Sequence, residues 1–311
     1  MHKHMVIIFG PTAVGKTDFA ENIAQHIPAE IVNMDLGQFY TPLSIGTAKP
    51  DWRHSTIAHH LFDLLDTPQD FTVATYREVL LKTLSGIWAR GNLPIIVGGS
   101  AFYLQSIFFP PSAPTGVLDD PHEDDSWELL YSIDPARAEA IDKNDQYRIQ
   151  RALNIWRSTG NKPSEYSAVY EAPCSYDLFF LTRDREQLYE RIDKRVLAMM
   201  DAGLLKEVAD LKDTEWETFL CSKKLIGYDD LLSYLKSDEQ TDEQLARAIA
   251  IIQRRTRNYA KRQHTFWRML EKKIARQGNQ DKEHTGHMQE VDLTTVDSDI
   301  YCKQLAKRLS Q

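Results

Sequence analysis

The segment Gly10-Pro11-Thr12-Ala13-Val14-Gly15-Lys16-Thr17 fits G-x-x-x-x-G-K-[ST]. It lies between the apolar run Met5 to Phe9 and a stretch with Ala20, Ile23, Ala24 and Ile27 at helical spacing. Strand, glycine turn, helix is the context in which this pattern cradles phosphate. The glycines let backbone N–H groups wrap around phosphate oxygens, and the helix N-terminus adds its dipole. Lys16 supplies a cation, and the Thr17 hydroxyl suits Mg²⁺. All eight residues are therefore candidates for binding a phosphate-bearing donor.

Two more apolar strands follow. Glu30 to Met34 ends at Asp35, and Pro94 to Val97 is stopped by Gly98-Gly99-Ser100. Between them Thr72 to Arg90 reads as a helix closed by Gly91. The alternation predicts an α/β fold: a P-loop NTPase-like parallel sheet with helices on both faces, joined by a mainly helical accessory region. Ligands of such sheets bind at the carboxyl ends of strands, so Gly10, Asp35 and Ser100 are expected to converge on one cleft. An NTPase usually ends an apolar strand in an acid that helps hold Mg²⁺, and here Gly98-Gly99-Ser100 stands at that place in the third strand. Asp35, near a phosphate leaving group, suits a base for an incoming nucleophile. A structural cap or a water-mediated Mg²⁺ ligand is the alternative.

The expected organisation is a first part of the core at 1–107 and a shortened insertion or loop at 108–133. A helical region at 134–275 returns to the core through a strand at Tyr176 to Leu181, and a polar tail fills 276–311. The tail is expected to be loosely ordered to about Asp299, with a short helix possible at its end. The formal net charge is -8. A whole-surface attraction to nucleic acid is therefore not expected, but a local basic face is. Residues 251–277 carry nine basic side chains and one acid, Glu271. An ordinary solvated helix face is the bland reading of that run. Cys174, Cys221 and Cys302 are too scattered for a metal pair or a disulfide framework. No apolar run approaches the roughly 20 residues of a membrane span, so a cytoplasmic protein is expected. His59 and His60 read as packing residues that bond backbone, and Trp156, Phe266 and Trp267 as core.

Several blocks, in order, resemble the bacterial tRNA dimethylallyltransferases, also called tRNA isopentenyltransferases. Beside the P-loop these are Asp35 to Tyr40, Gly46-Thr47-Ala48-Lys49-Pro50, His59-His60-Leu61 and Val97-Gly98-Gly99-Ser100 with Tyr103. Further on come Asn144-Asp145 with Arg148, Arg151, Ala152 and Leu153, then Ile226-Gly227-Tyr228, and Ala260-Lys261-Arg262-Gln263 with Thr265. Departures are Leu36-Gly37, where a serine and a larger residue are usual, Ser100 in place of threonine, Lys223-Lys224, and a short segment from Phe108 to Glu128. A different tRNA affinity or choice is expected from that short segment.

The resemblance implies that dimethylallyl pyrophosphate and Mg²⁺ bind at the P-loop while a flipped adenosine beside the tRNA anticodon enters from the other side. Its N6 amine attacks the allylic carbon, and Asp35, Ser100, Lys16 and Thr17 form the catalytic group, with Thr17 on the metal. Contacts to the anticodon stem-loop are implied at Asp35, Leu36, Gly37, Gln38 and Ser100, at Tyr147, Arg148, Ile149, Gln150 and Arg151, and at Arg254, Arg257, Lys261 and Arg262. A monomer with no membrane partner is expected. A small-molecule P-loop kinase, a prenyltransferase acting on free adenylate and an RNA-binding module with a dead P-loop are the rivals.

Overall fold

The computed structural model describes residues 3–111, 122–166, 168–278 and 284–310. The chain divides into one unit of residues 1–108 with 172–311 and a second of residues 109–171.

In the first unit, β1 (His4–Phe9) leads through the P-loop into α1 (Lys16–Ala24), then β2 (Ala29–Asn33) and a 3₁₀ turn at Leu36–Phe39. A two-residue strand, β3 (His59–His60), precedes α2 (Val73–Ala89), β4 (Leu93–Gly98) and α3 (Ala101–Phe108). The second unit holds α4 (Trp127–Ile133), α5 (Pro135–Glu139) and α6 (Gln146–Thr159). The first unit resumes with β5 (Ser175–Thr182), α7 (Arg185–Asp201), α8 (Leu204–Leu211), α9 (Glu215–Lys223), α10 (Tyr228–Leu235) and α11 (Asp242–Gly278), and ends in β6 (Gly286–Asp292) and α12 (Ser298–Leu309).

Among the described residues the strands form a six-stranded sheet in the order β3-β2-β4-β1-β5-β6, each neighbouring pair parallel. Its central strands are buried along nearly their whole length, as a parallel sheet covered on both faces requires. Phe9 pairs with Gly98, and Asn33 with Val97. The ends of β1, β4 and β2 therefore lie side by side and carry the P-loop, Gly98-Gly99-Ser100 and Asp35 to one edge. The α/β core expected from the strand and helix alternation is the architecture found.

Two differences have physical causes. Residues 277 to 299, expected to be loosely ordered, include β6 and the start of α12. β6 is an edge strand paired only with β5. An edge strand keeps an exposed face, so its residues are polar and carry little hydrophobic signal. Cys302, Leu305 and Ala306 of α12 join the core cluster that contains Phe19, Ala20 and Ile23 of α1. The segment 108–133, expected to be insertion or loop, ends in α4, whose N-terminus is capped by the Ser126 hydroxyl accepting from Leu129 N at 3.1 Å. The part of that expectation at 112–121 lies outside the described residues.

The second unit has its own small core of Leu130, Ala138, Ile141, Ile149, Ala152 and Leu153. Asp134 ties it together by accepting from Arg137 N at 3.1 Å and Ser164 N at 2.7 Å.

If α12 is part of the main core, Leu305→Ala should lower the unfolding free energy by about 2–4 kcal/mol, as other large-to-small core changes do. Denaturant unfolding measures this, and an unchanged midpoint would place the helix outside the cooperative unit.

Candidate active site

The P-loop turns on two left-handed residues, Ala13 at φ 64° and Gly15 at φ 113°. Gly15 takes this conformation freely, whereas Ala13 holds it at a cost that the loop's surroundings must offset. Four of the loop's carbonyls are engaged by cations. Lys16 Nζ donates to the Gly10 and Pro11 carbonyls at 3.1 and 3.0 Å. Arg191 Nε donates to the Ala13 carbonyl at 2.9 Å, and Arg183 Nε to the Val14 carbonyl at 3.0 Å. Arg183 also reaches the Leu293 carbonyl at 2.9 Å, so it ties the loop to the segment after β6.

Thr12, Ala13, Gly15, Lys16 and Thr17 line a cleft of about 890 Å³ together with Asp35, Gln38, Thr47, Arg191, Lys194 and Arg195. Gly10, Pro11 and Val14 shape the loop from behind. Val14 is fully buried in the core, and a Cβ on Gly10 would come within 2.6 Å of the Leu181 carbonyl oxygen.

Asp35 precedes the 3₁₀ turn, but its side chain makes no capping bond there. The structural-cap alternative is thereby removed. Its backbone N–H donates to Asn33 Oδ1 at 2.8 Å, and its carboxylate faces Ser100, whose Oγ lies 3.5 Å away. The same hydroxyl accepts from Leu36 N at 3.0 Å. A Cβ placed on Gly99 would sit 3.6 Å from both Asp35 Oδ2 and Lys16 Nζ. The acid and the base therefore face each other across one bare glycine. Desolvation by the surrounding protein lowers the Lys16 pKa to about 8, with Asp35 opposing and Arg195 assisting the shift. The same desolvation raises the Asp35 carboxyl, against the pull of Lys16, the Gly99 backbone and Arg195.

Some residues that hold this arrangement were not singled out by the sequence. Gln263, buried in α11, accepts from Thr12 N at 3.0 Å and donates to the Gly99 carbonyl at 2.8 Å. One amide thus staples the P-loop to the end of β4, and it takes up the Thr12 N–H that had been expected to face phosphate. Tyr259 OH donates to the same Gly99 carbonyl at 3.0 Å. Gln263 lay inside a recognised block, but no spacing rule says that a mid-helix glutamine will meet a loop 251 residues away. Arg191 and Arg195 are one helical turn apart on α7, a pattern that fixes a shared face without saying what it meets.

The loop from 44 to 50 forms another wall. The Glu207 carboxylate accepts three successive backbone N–H bonds from Ser44, Ile45 and Gly46 at 3.1, 2.7 and 3.1 Å, and a fourth from Tyr228 OH at 2.6 Å. Gln38 Nε2 donates to the Thr47 and Ala48 carbonyls at 3.1 and 3.3 Å. Gly37 has a local reason in this chain: a Cβ there would come 2.6 Å from Thr47 Cγ2. Leu36 packs against the helical cluster around Val208 and Leu231. His59 Nδ1 meets the Ile57 backbone carbonyl at 2.8 Å, as expected of a packing residue, whereas His60 pairs with the Glu30 side chain and not with backbone.

The expected RNA-contacting residues divide. In α6, Tyr147 and Arg148 are exposed, with Arg148 3.2 Å from Asp145, and Gln150 and Arg151 are half-buried. Ile149 is a correction: its side chain is fully buried in the second unit's core, so it is not available to touch RNA. In α11, Arg254, Lys261 and Arg262 are exposed. Arg257 is paired with Asp193 of α7, and Arg255 with Asp229 and Asp230 of α10. Those two arginines dock α11 onto its neighbours, so the basic run is less uniform as a surface than it is as a sequence.

Two outcomes follow from this geometry. Lys16 is charged below pH 8 and loses its proton as pH rises through about 8. Inorganic pyrophosphate binding, followed by calorimetry, should therefore weaken above that pH, and the weakening should vanish in Lys16→Arg because a guanidinium stays charged. A profile that is flat or rises across this range in the wild type would contradict the assignment. Separately, Gln263→Ala should lower turnover by about 10²-fold through misplacement of the loop. Wild-type turnover in that variant would show that the staple is dispensable.

A protein-family model described as IPP transferase matches residues 38–270. The tRNA dimethylallyltransferase of Protochlamydia amoebophila is 38% identical over 281 residues, spanning 86% of this chain and 81% of that protein. That of Alkaliphilus oremlandii is 35% identical over 286 residues, spanning 87% and 90%. The full-length tRNA isopentenylpyrophosphate transferase of Bacillus halodurans superposes with a TM-score of 0.65 at 28% identity, covering 99% of this chain and 96% of that one. A eukaryotic dimethylallyltransferase, crystallised in the course of acting on tRNA, superposes with a TM-score of 0.76 at 26% identity, covering 94% and 74%. With a family-model match across 38–270 and relatives 35–38% identical over most of its length, the chain belongs to the IPP transferase family, together with the tRNA dimethylallyltransferases.

Proposed function

We propose that the chain transfers a dimethylallyl group from dimethylallyl pyrophosphate to N6 of the adenosine 3′ of the anticodon, position 37 of tRNA, and releases pyrophosphate. The observation that carries this reading is the placement of Lys16 and Asp35 on either side of Gly99 in one cleft. A phosphate leaving group and a nucleophile losing a proton need those two groups at the two ends of the reacting axis.

The pyrophosphate lies against the P-loop. Lys16 exchanges the Gly10 and Pro11 carbonyls for phosphate oxygens, and Arg191 and Arg195 add positive charge to the same wall. As the donor's allylic C–O bond breaks, these cations balance the charge that gathers on the leaving group. The adenine amine forms the new C–N bond and gives its proton to Asp35. The raised pKa of Asp35 makes it a stronger base than an ordinary aspartate. Ser100 orients that carboxylate through its hydroxyl, while its own oxygen is fixed by Leu36 N.

The Thr17 hydroxyl is the group that would hold a magnesium ion shared with the pyrophosphate. Thr17 lines the cleft, and no cluster of three or more His, Cys, Asp or Glu among the described residues offers a self-sufficient metal site. Bound there, magnesium would neutralise charge on the departing pyrophosphate. Arg254, Lys261 and Arg262 supply an exposed positive face for the RNA backbone. Among the described residues no helix is long and apolar enough to cross a membrane. A monomer working in the cytoplasm is the state we propose.

The test is transfer of radiolabelled dimethylallyl pyrophosphate, with Mg²⁺, to unmodified tRNA carrying adenosine after the anticodon, with AMP as a parallel acceptor. Label in the tRNA alone is expected. Label in AMP alone would move the activity to free adenylate, and label in neither would remove the reading. In the same assay Asp35→Asn should bind tRNA normally and lose about 10²- to 10⁴-fold in rate, the usual contribution of a general base. Near-normal turnover would take Asp35 out of the mechanism.

A further inference from the structure

Phe102 is 63% exposed in the first turn of α3. It stands two residues beyond Ser100, whose hydroxyl is 3.5 Å from Asp35 Oδ1. An uncovered phenylalanine beside a site leaves apolar surface in water that a ligand can cover. Phe102 is also held in place. Its ring meets Phe266 of α11 edge-on, with centroids 6.0 Å apart and planes at 70°. Phe266 in turn meets the buried Phe9 edge-on at 6.5 Å.

The surroundings are basic. Tyr259, Arg262 and Phe266 are spaced three and four residues apart and share one face of α11. The Tyr259 hydroxyl bond to the Gly99 carbonyl fixes that face beside the Gly99–Phe102 segment. Arg262 lies exposed over the Tyr259 ring, 5.7 Å from its centroid. An exposed aromatic ring with an exposed guanidinium on the neighbouring helix face matches an unpaired nucleotide, whose base stacks while its phosphate meets the charge. An uncharged apolar partner would leave Arg262 unmatched.

We infer that Phe102 is a stacking platform for an RNA base flanking the target adenosine, on the acceptor side of the cleft. The inference rests on the proposed function and names a specificity contact within it. Extruding the target base breaks its stacking with its neighbours, and an aromatic ring that receives one neighbour replaces part of that loss.

The experiment measures fluorescence anisotropy of an end-labelled anticodon stem-loop with wild type, Phe102→Ala, Phe102→Leu and Phe102→Trp. An exposed position leaves the fold intact in all four. Phe102→Ala should raise Kd by about tenfold, within the range for removing one stacking platform. Phe102→Trp should stay close to wild type, and Phe102→Leu should resemble alanine. A stem-loop made abasic at one of the two nucleotides flanking the target should weaken wild-type binding and abolish the further effect of Phe102→Ala. Unchanged affinity in Phe102→Ala, full rescue by leucine, or additivity at both abasic positions would each overturn the stacking contact and leave the proposed function standing. Failure of the wild type to bind the stem-loop would overturn both.

Discussion

An ammonium and a carboxylate face each other across Gly99 in one desolvated cleft, and much of the rest of the molecule serves to keep them there. Burial pulls the Lys16 pKa down and pushes the Asp35 pKa up, and each group's charge resists the change in the other. In the proposed reaction each member of the pair is shifted toward the role assigned to it. The arrangement depends on Gly99 having no side chain, because a Cβ there would come within 2.4 Å of the Gln263 amide that ties the P-loop to β4. It also depends on strand order. β4 lies between β2 and β1, so the glycine arrives between the acid and the P-loop by topology.

The clamps around the P-loop follow one electrostatic rule. Carbonyl oxygens at residues 10, 11, 13 and 14 accept from Lys16, Arg191 and Arg183. If the loop offers its N–H groups to the pyrophosphate of the proposed reaction, its carbonyls would repel that anion, and engaging them with cations removes the penalty. Three elements remote in sequence contribute: the turn between β5 and α7 through Arg183, α7 through Arg191, and α11 through Gln263. Glu207 does the reverse for the 44–50 loop, where a carboxylate collects three consecutive N–H groups and holds a wall of the cleft in place.

Much of this was legible in the residues. The P-loop motif, the apolar strands and the acid after the second strand sufficed to place Lys16, Thr17, Asp35 and Ser100 at one sheet edge, because a parallel sheet leaves few other arrangements. What stayed hidden depends on long-range partners. β6 is polar because it is an edge strand, and α12 shows its apolar stripe only once α1 is there to receive it. Gln263, Arg183 and Glu207 look like ordinary polar residues on helices and loops until the backbone groups they satisfy are known. The charge of α11 was readable, but the use of Arg255 and Arg257 against Asp229, Asp230 and Asp193 was not, since the acids lie on other helices. Ile149 shows the same limit, because its place in a block of polar and basic residues gave no sign that it faces inward.

The most direct test of the poised pair is the pH dependence of the single-turnover transfer rate at saturating donor and tRNA. A buried Asp35 that must lose its proton before it can act should give an acid limb displaced above the ordinary carboxylate pKa of about 4. A rate that stays flat down through that ordinary value would contradict the account, since Asp35 would then be either unperturbed by its burial or absent from the proton transfer.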